Sequence, residues 1–385
     1  MSSHIRMTAS AADMVAMIEA SSQRNIRSFD QPARTYIDAV GHAARSGHTP
    51  QITGDVADLL RRNPRSGAYL VLTAHQHAAV RLWQRHRITY AIDRTLWEEV
   101  GDTDPDDILP ANLFDQLPHS DPFVAFPEPL ALDREDDLVE HIVGVFVTGH
   151  LPASEGDDAE ADTSGCGTIA TVTGDILHVG QCSTHDSGRA AISLLFAGVM
   201  YGADGRPHLK NGVADVRWTH IAFTMDDDQS LADLIDYIVA EHGDRVPANA
   251  SGGIAISVKG DLTLMLRRAV SLIIYLCAEN ADIVAAPRSS ANRPRGRRPG
   301  QQPKAPRVLN VGYRIGAQLR TWRATIRRAS TASTGLSVRP HLRKAHFHTY
   351  RHGKGRALRK IRWLSPIPVN FHGHDADTTT VIPVA

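Results

Sequence analysis

Residues 339–370 read RPHLRKAHFHTYRHGKGRALRKIRWLSPIPVN. The stretch holds nine Lys or Arg, four His and no acid. Apolar and aromatic residues recur in it at a spacing too regular for a disordered tail. It divides into two β runs about the glycine-rich turn HGKGR at 352–356. Alternate side chains of a strand share a face. Ala345, Phe347 and Thr349 therefore fall on one face of the first run, and His346, His348 and Tyr350 on the other. In the second run Ile361 and Trp363 share a face, with Lys360 and Arg362 opposite. Pairing the runs gives a ribbon that is apolar on one side and cationic and aromatic on the other. Such a face neutralises phosphates and stacks on exposed bases.

The positive charge extends well beyond the ribbon. From Ile283 to His374, 92 residues contain 21 of the 42 Lys and Arg and none of the 42 Asp and Glu. The rest of the chain keeps 21 basic and 42 acidic residues, so a net charge of zero conceals segments of +21 and −21. Asymmetry of this kind points to an anionic partner. The plainer alternative is a solvated hairpin kept soluble by its charge, but solvated faces ordinarily mix signs. An acidic protein, or the acidic body of the same chain, also satisfies the requirement.

At 385 residues the chain suits two or three domains and can bury a core without disulfides. Cys166, Cys182 and Cys277 are odd in number and far apart, so a reducing cytoplasm is the expected setting. The first 20 residues contain acids and lack a continuous apolar run, so no secretion signal is expected. The longest apolar run, AVSLIIYLCA, is about half of what a membrane crossing needs.

Working back from the ribbon, VLNVGYRIGAQLRTWRATIRRA places Arg320, Arg323, Arg327 and Arg328 on a helix, with Leu319, Trp322 and Ile326 on its other side. Before it, 287–306 is rich in Pro, Arg, Gly and Gln, the composition of a disordered basic linker or insertion. The region from Leu138 to Gly260 reads as β runs around one well-marked helix, residues 230–241. ISLLFAGVMYG fits a buried strand or a short helix equally, because an uninterrupted apolar run has no period. GGIAISVKG reads as a strand, and LTLMLRRAVSLIIYLCAEN as a buried helix or helix–strand pair. GAYLVLTAHQHAAVRLWQRH is expected to begin as a strand and continue as a helix from about Ala74. Two helices precede it, at 8–24 and near 33–44. The expected fold is α+β: a mixed sheet with flanking helices and a basic C-terminal β-hairpin. The expected divisions are a helical extension (1–70), an acidic body (71–286), the linker (287–306), a basic helix-plus-hairpin module (307–370) and a tail (371–385).

Catalytic chemistry finds little support. His346 and His348 offer two metal ligands on one strand face, but the spacing fits no zinc-finger pattern. Asp226, Asp227 and Asp228 suit either Mg²⁺ or the start of the following helix, and the helix is the simpler role. Cys182, His185 and Asp186 lie close in sequence, which is poor grounds for a triad. No phosphate-binding glycine loop occurs. No cofactor, catalytic residue or bound metal is expected.

The segments LNVGYRIGAQLR, RPHLRKAHFHTYRHGKG and RKIRWLSPIPVN resemble a family found on phages and plasmids. One branch of it is the second type V-A anti-CRISPR protein family. AVSLIIYLCAENADI and LPANLFDQLPHSDPFVAFPEP are similar to internal segments of that family. Arg339, His341, Arg343, His346, His348, Tyr350, Arg362 and Trp363 carry the family pattern, against which the Arg-rich linker is an insertion. The resemblance implies a regulator that lowers the message of a type V effector nuclease during translation by recognising its emerging N-terminal peptide. The expected partners are thus RNA or a ribosome–nascent chain complex, with a peptide or protein target and no membrane. The expected nucleic-acid contacts are Arg320, Arg323, Arg327, Arg339, His341, Arg343, His346, His348, Tyr350, Lys360 and Arg362. The competing readings are a metal-dependent nuclease and a non-catalytic protein-docking module.

Overall fold

The computed structural model describes residues 10–46, 62, 64–103, 108–110, 113–132, 139–148, 168–173, 176–181, 192–202, 206–223, 229–242, 259–287, 305–332, 340–356 and 358–370. Along the chain run helices α1 (Ala11–Arg27), α2 (Gln31–Ser46) and α3 (Pro64–His86), strand β1 (Ile88–Ile92), helix α4 (Arg94–Gly101), and strands β2 (Ile108–Leu109), β3 (Phe123–Leu132) and β4 (Val139–Thr148). Then come β5 (Thr168–Thr173), β6 (Ile176–Gln181), β7 (Ile192–Tyr201), β8 (Leu209–Lys210), β9 (Val213–Ala214), β10 (Val216–Phe223) and β11 (Gln229–Ser230). The last part holds α5 (Leu231–His242), α6 (Lys259–Cys277), β12 (Ile283–Ala285), β13 (Arg307–Val311), α7 (Tyr313–Ala332), β14 (His341–Arg343), β15 (His346–His352), β16 (Leu358–Leu364) and β17 (Ile367–Val369).

Seven strands form one mixed sheet in the order β10-β7-β4-β3-β1-β13-β12. Strand β1 runs parallel to both neighbours, β3 and β13, and the remaining pairs are antiparallel. The fold is therefore α+β, as the alternating patterns predict. Both sheet faces are covered. On one, Met14, Val15 and Ile18 of α1 and Val80 and Trp83 of α3 pack on Phe123, Phe146 and Trp218. On the other, Leu234 and Ile238 of α5 and Leu266, Val270 and Ile273 of α6 join Tyr90, Val124, Val145 and Phe196. A strand covered on both faces has no polar side to alternate with. That explains why β7, buried along nearly its whole length, has no readable period.

The expected strand before Ala74 is replaced by helix: Pro64–His86 is one helix throughout. Leu70, Ala74 and Ala78, one helical turn apart, pack together against Tyr36, Ile37 and Val40 of α2. That contact carries the 3.6 period through a run rich in β-formers. LTLMLRRAVSLIIYLC resolves as helix, and Lys259 and Gly260, the end of the expected GGIAISVKG strand, are its first residues. The rest of that strand, the segment holding Cys182, His185 and Asp186, the acids Asp226–Asp228 and most of the 287–306 linker lie outside the described residues. Helix α5 is capped by Ser230 and Asp233. The Asp233 N–H donates to Ser230 Oγ (3.1 Å), and Ser230 Oγ donates to Asp233 Oδ2 (2.6 Å).

The basic segment is built into this body. Strand β13 lies between β1 and β12, in register from Ile88↔Arg307 to Ile92↔Val311. The linker is thus the connection between two adjacent antiparallel strands. From β13 the chain turns at Gly312 (φ 74°) into α7, where a methyl group would overlap Leu96 of α4. One turn on, a methyl at Gly316 would overlap the Asp93 carboxylate. The two glycines let α7 lie close against α4.

Gly312→Ala should lower stability by roughly 3 kcal/mol or more, since it adds a clash to a left-handed backbone. Gly355→Ala, also left-handed (φ 67°) but with nothing within 4 Å, should cost only about 1 kcal/mol. Urea unfolding of both variants checks this. The protein should also lose stability on acidification. Burial holds the imidazoles of His141 and His119 below the ordinary histidine value, and at His119 the charges of Arg307 and His86 add to it. The unfolded chain then takes up protons first as pH falls from about 6.5, and stability drops through the folded values. His141→Gln should flatten that slope in unfolding curves measured between pH 8 and 5.

Candidate nucleic-acid interface

Strands β15 and β16 pair antiparallel from His346↔Leu364 to His352↔Leu358. Opposed residues share a face, so Phe347, Thr349, Ile361 and Trp363 form one side, and His346, His348, Tyr350, Lys360 and Arg362 the other. This is the division that alternation predicts. The turn is made by Gly353 (φ 79°), Gly355 (φ 67°) and Arg356 (φ 56°). Strands β14 and β17 extend the ribbon beyond a break at Lys344–Ala345 and Ser365–Pro366.

The apolar side is core. Ala345, Phe347, Ile361 and Trp363 are all buried with α4 and α6. The Trp363 ring meets Tyr275 edge to face at 5.3 Å. Its backbone is held at both polar groups by Asn280, whose Nδ2 donates to Trp363 O (2.9 Å) while Oδ1 accepts from Trp363 N (3.1 Å). The Glu279 N–H donates to Ile361 O (3.1 Å). The loop after α6 thus closes the outer edge of β16, which fixes the direction in which the polar side points.

On that polar side His348 and Tyr350 are exposed, their rings edge to face at 4.4 Å. The Arg362 guanidinium sits 5.6 Å from the Tyr350 ring centre. His346 is half-buried, and His341 and Arg343 are exposed on β14. At the tip, Arg351 stands directly opposite Arg359. Arg343, Lys344, Arg351, Lys354 and Arg356 are exposed and have no acidic partner among the described residues. Arg339 lies outside the described residues, and Arg327 is exposed on α7.

Arg320, Arg323, Lys360 and Arg362, all expected contacts, are ion-paired within the chain. Arg320 Nη1 donates to both oxygens of the buried Asp93 (3.0 and 2.9 Å) and to Thr95 Oγ1 (2.9 Å). Arg323 bridges Glu98 (3.0 Å) and Glu99. Lys360 Nζ and Arg362 Nε donate to Glu279 Oε1 (2.9 Å) and Oε2 (2.7 Å). These acids lie at least 81 residues from their partners, so no local spacing could announce them. Nearby, Asp282 accepts from the N–H groups of Arg314 (2.9 Å) and Ile315 (3.3 Å) and so caps α7. Asp93 does the same for α4, accepting from Thr95 N (2.8 Å) and Leu96 N (3.3 Å).

His346 and His348 do share a strand face. Among the described residues, however, no three His, Cys, Asp or Glu side chains converge as a metal site requires. No helix among them is long and apolar enough to cross a membrane.

The engaged arginines should separate by double-mutant cycle. Asp93 is buried, so the Asp93–Arg320 pair should couple by roughly 1–3 kcal/mol in stability. The exposed Glu279–Arg362 pair should couple by less than about 1 kcal/mol.

Comparison with known proteins adds the family. No curated protein matches. Among solved structures, the crystal structure of AcrVA2 is similar over 93% of this chain and 99% of that one, at 16% identity and a TM-score of 0.48. The family model for the anti-CRISPR type V subtype A2 family matches residues 90–371. That span takes in the sheet core from Tyr90 onward, the α4–α7 clamp and the whole ribbon, and the chain belongs to this AcrVA2-like family.

Proposed function

We propose that this protein is an anti-CRISPR-like regulator that engages RNA through its basic ribbon while its acidic body selects the target. The observation that carries the RNA contact is the set of exposed cations Arg343, Lys344, Arg351, Lys354 and Arg356, unmatched by acids among the described residues, at the break and tip of a ribbon whose other strand positions carry an aromatic, His-bearing face. Cations set this way exchange condensed counterions for backbone phosphates. The aromatic face adds stacking. Family membership supports the anti-CRISPR role. The resemblance read from the sequence supports the finer version, in which the protein meets a ribosome–nascent chain complex in the host cytoplasm and lowers expression of the defence nuclease. The role needs no catalysis by this chain.

Two measurements test the reading. Affinity for an RNA oligonucleotide should fall steeply with salt, with a log–log slope of about −3 or steeper for four or more phosphates neutralised on a single strand. The double variant Arg351→Glu, Arg356→Glu should weaken binding roughly tenfold or more and flatten the slope. Salt-insensitive binding counts against the reading. Affinity purification from the host, with and without ribonuclease, should show RNA and ribosomal proteins lost on treatment. A single protein partner that survives treatment would instead make the ribbon a protein-docking surface.

A further inference from the structure

On the polar face, four side chains form a square: His348 opposite Arg362, and Tyr350 opposite Lys360. Among the described residues, one acid reaches it. Glu279 comes from the loop after α6, its N–H anchored on Ile361 O (3.1 Å), between the two cationic residues of β16. Each carboxylate oxygen takes one cation, Oε1 from Lys360 Nζ (2.9 Å) and Oε2 from Arg362 Nε (2.7 Å). The hydrogen bonds from Lys360 and Arg362 hold this carboxyl below the usual glutamate range, so it is ionised wherever RNA would be bound. Tyr350 is 40% exposed beside it, with the Arg362 guanidinium 5.6 Å from the ring centre.

A carboxylate held by two separate donors has the same fork of two anionic oxygens as a phosphodiester. Resting on the RNA-binding reading above, we propose that Glu279 occupies, in the free protein, the position a backbone phosphate takes in the complex, and that the unit recognised there is an unpaired nucleotide. Its phosphate bridges Lys360 and Arg362, and its base lies on Tyr350. The exchange is feasible because the side chains of Glu279, Lys360 and Arg362 are 38%, 44% and 35% exposed, and exposed ion pairs are weakly held. The preference is for single strands because a base in a duplex is stacked between its neighbours and offers no free face to Tyr350. Glu279 thereby sets a threshold: weak or non-specific polyanions must displace it, whereas a nucleotide that also stacks is compensated.

The test is fluorescence anisotropy of the full-length protein with a labelled 12-nucleotide single-stranded RNA and with the same sequence as duplex. Glu279→Gln removes the competing charge and keeps the shape. It should tighten single-strand binding about 3- to 10-fold and steepen the salt slope by about one phosphate contact. Tyr350→Ala should weaken single-strand binding roughly tenfold and leave duplex binding unchanged, while Tyr350→Phe behaves as the parent. Circular dichroism confirms that each variant is folded. Unchanged or weaker binding by folded Glu279→Gln overturns the proposal, as does equal loss for single strand and duplex in Tyr350→Ala. If Arg351→Glu, Arg356→Glu still weakens binding roughly tenfold or more in that case, RNA recognition stands and only this subsite fails. If neither the parent nor any variant binds RNA, both readings fall.

Discussion

The parallel pairing of β1 with β13 is the constraint on which the rest depends. It places an acid-free, strongly cationic segment in the sheet, second strand from one edge, with Ile92 and Val311 side by side at the carboxyl ends of the two strands. From there each strand feeds a helix, α4 and α7, that must lie against the other. Asp93 ends one strand and Gly312 the other. Their proximity brings cationic α7 onto the acid-bearing face of α4. The charge imbalance visible along the chain is thereby partly neutralised across the fold.

That neutralisation is selective, which gives it functional meaning. Arg320 and Arg323 serve α4, and Arg314 serves Asp282, as structural cations. Asp282 and Asp93, the partners of Arg314 and Arg320, are buried, and a lone buried carboxylate is costly. Arg343, Lys344, Arg351, Lys354 and Arg356, at the ribbon's break and tip, have no acidic partner among the described residues. Lys360 and Arg362 stand between these groups, held by one half-exposed acid. The protein therefore presents a graded series, from cations committed to the fold, through cations lightly held, to exposed cations without an acidic partner among the described residues.

The ribbon works as a surface only because its reverse is core. Trp363, Phe347 and Ile361 anchor it, and Asn280 locks the backbone of β16. A rigid backing matters for stacking, since a base gains little from an aromatic ring that must itself be ordered on binding. The stretches that carried the family resemblance meet here: AVSLIIYLCAENADI supplies Glu279, Asn280 and Asp282, LNVGYRIGAQLR supplies Gly312 and Arg314, and the ribbon packs on the first of them.

The ribbon's two faces, the acid-free segment, the mixed α+β character and the helix at α5 were legible in the sequence, because each depends on a period or composition within about twenty residues. The strand identity of β7 was not, since burial on both sides erases the alternation. Nor was the helix through Leu70, whose period is set by contact with α2. Above all, the sequence could not say which cations are spent within the chain. Asp93 and Arg320 are separated by 227 residues and Glu279 and Arg362 by 83. Ion pairing depends on distance in space, and only the tertiary structure, by running β13 beside β1 and laying the ribbon on α6, brings those charges together.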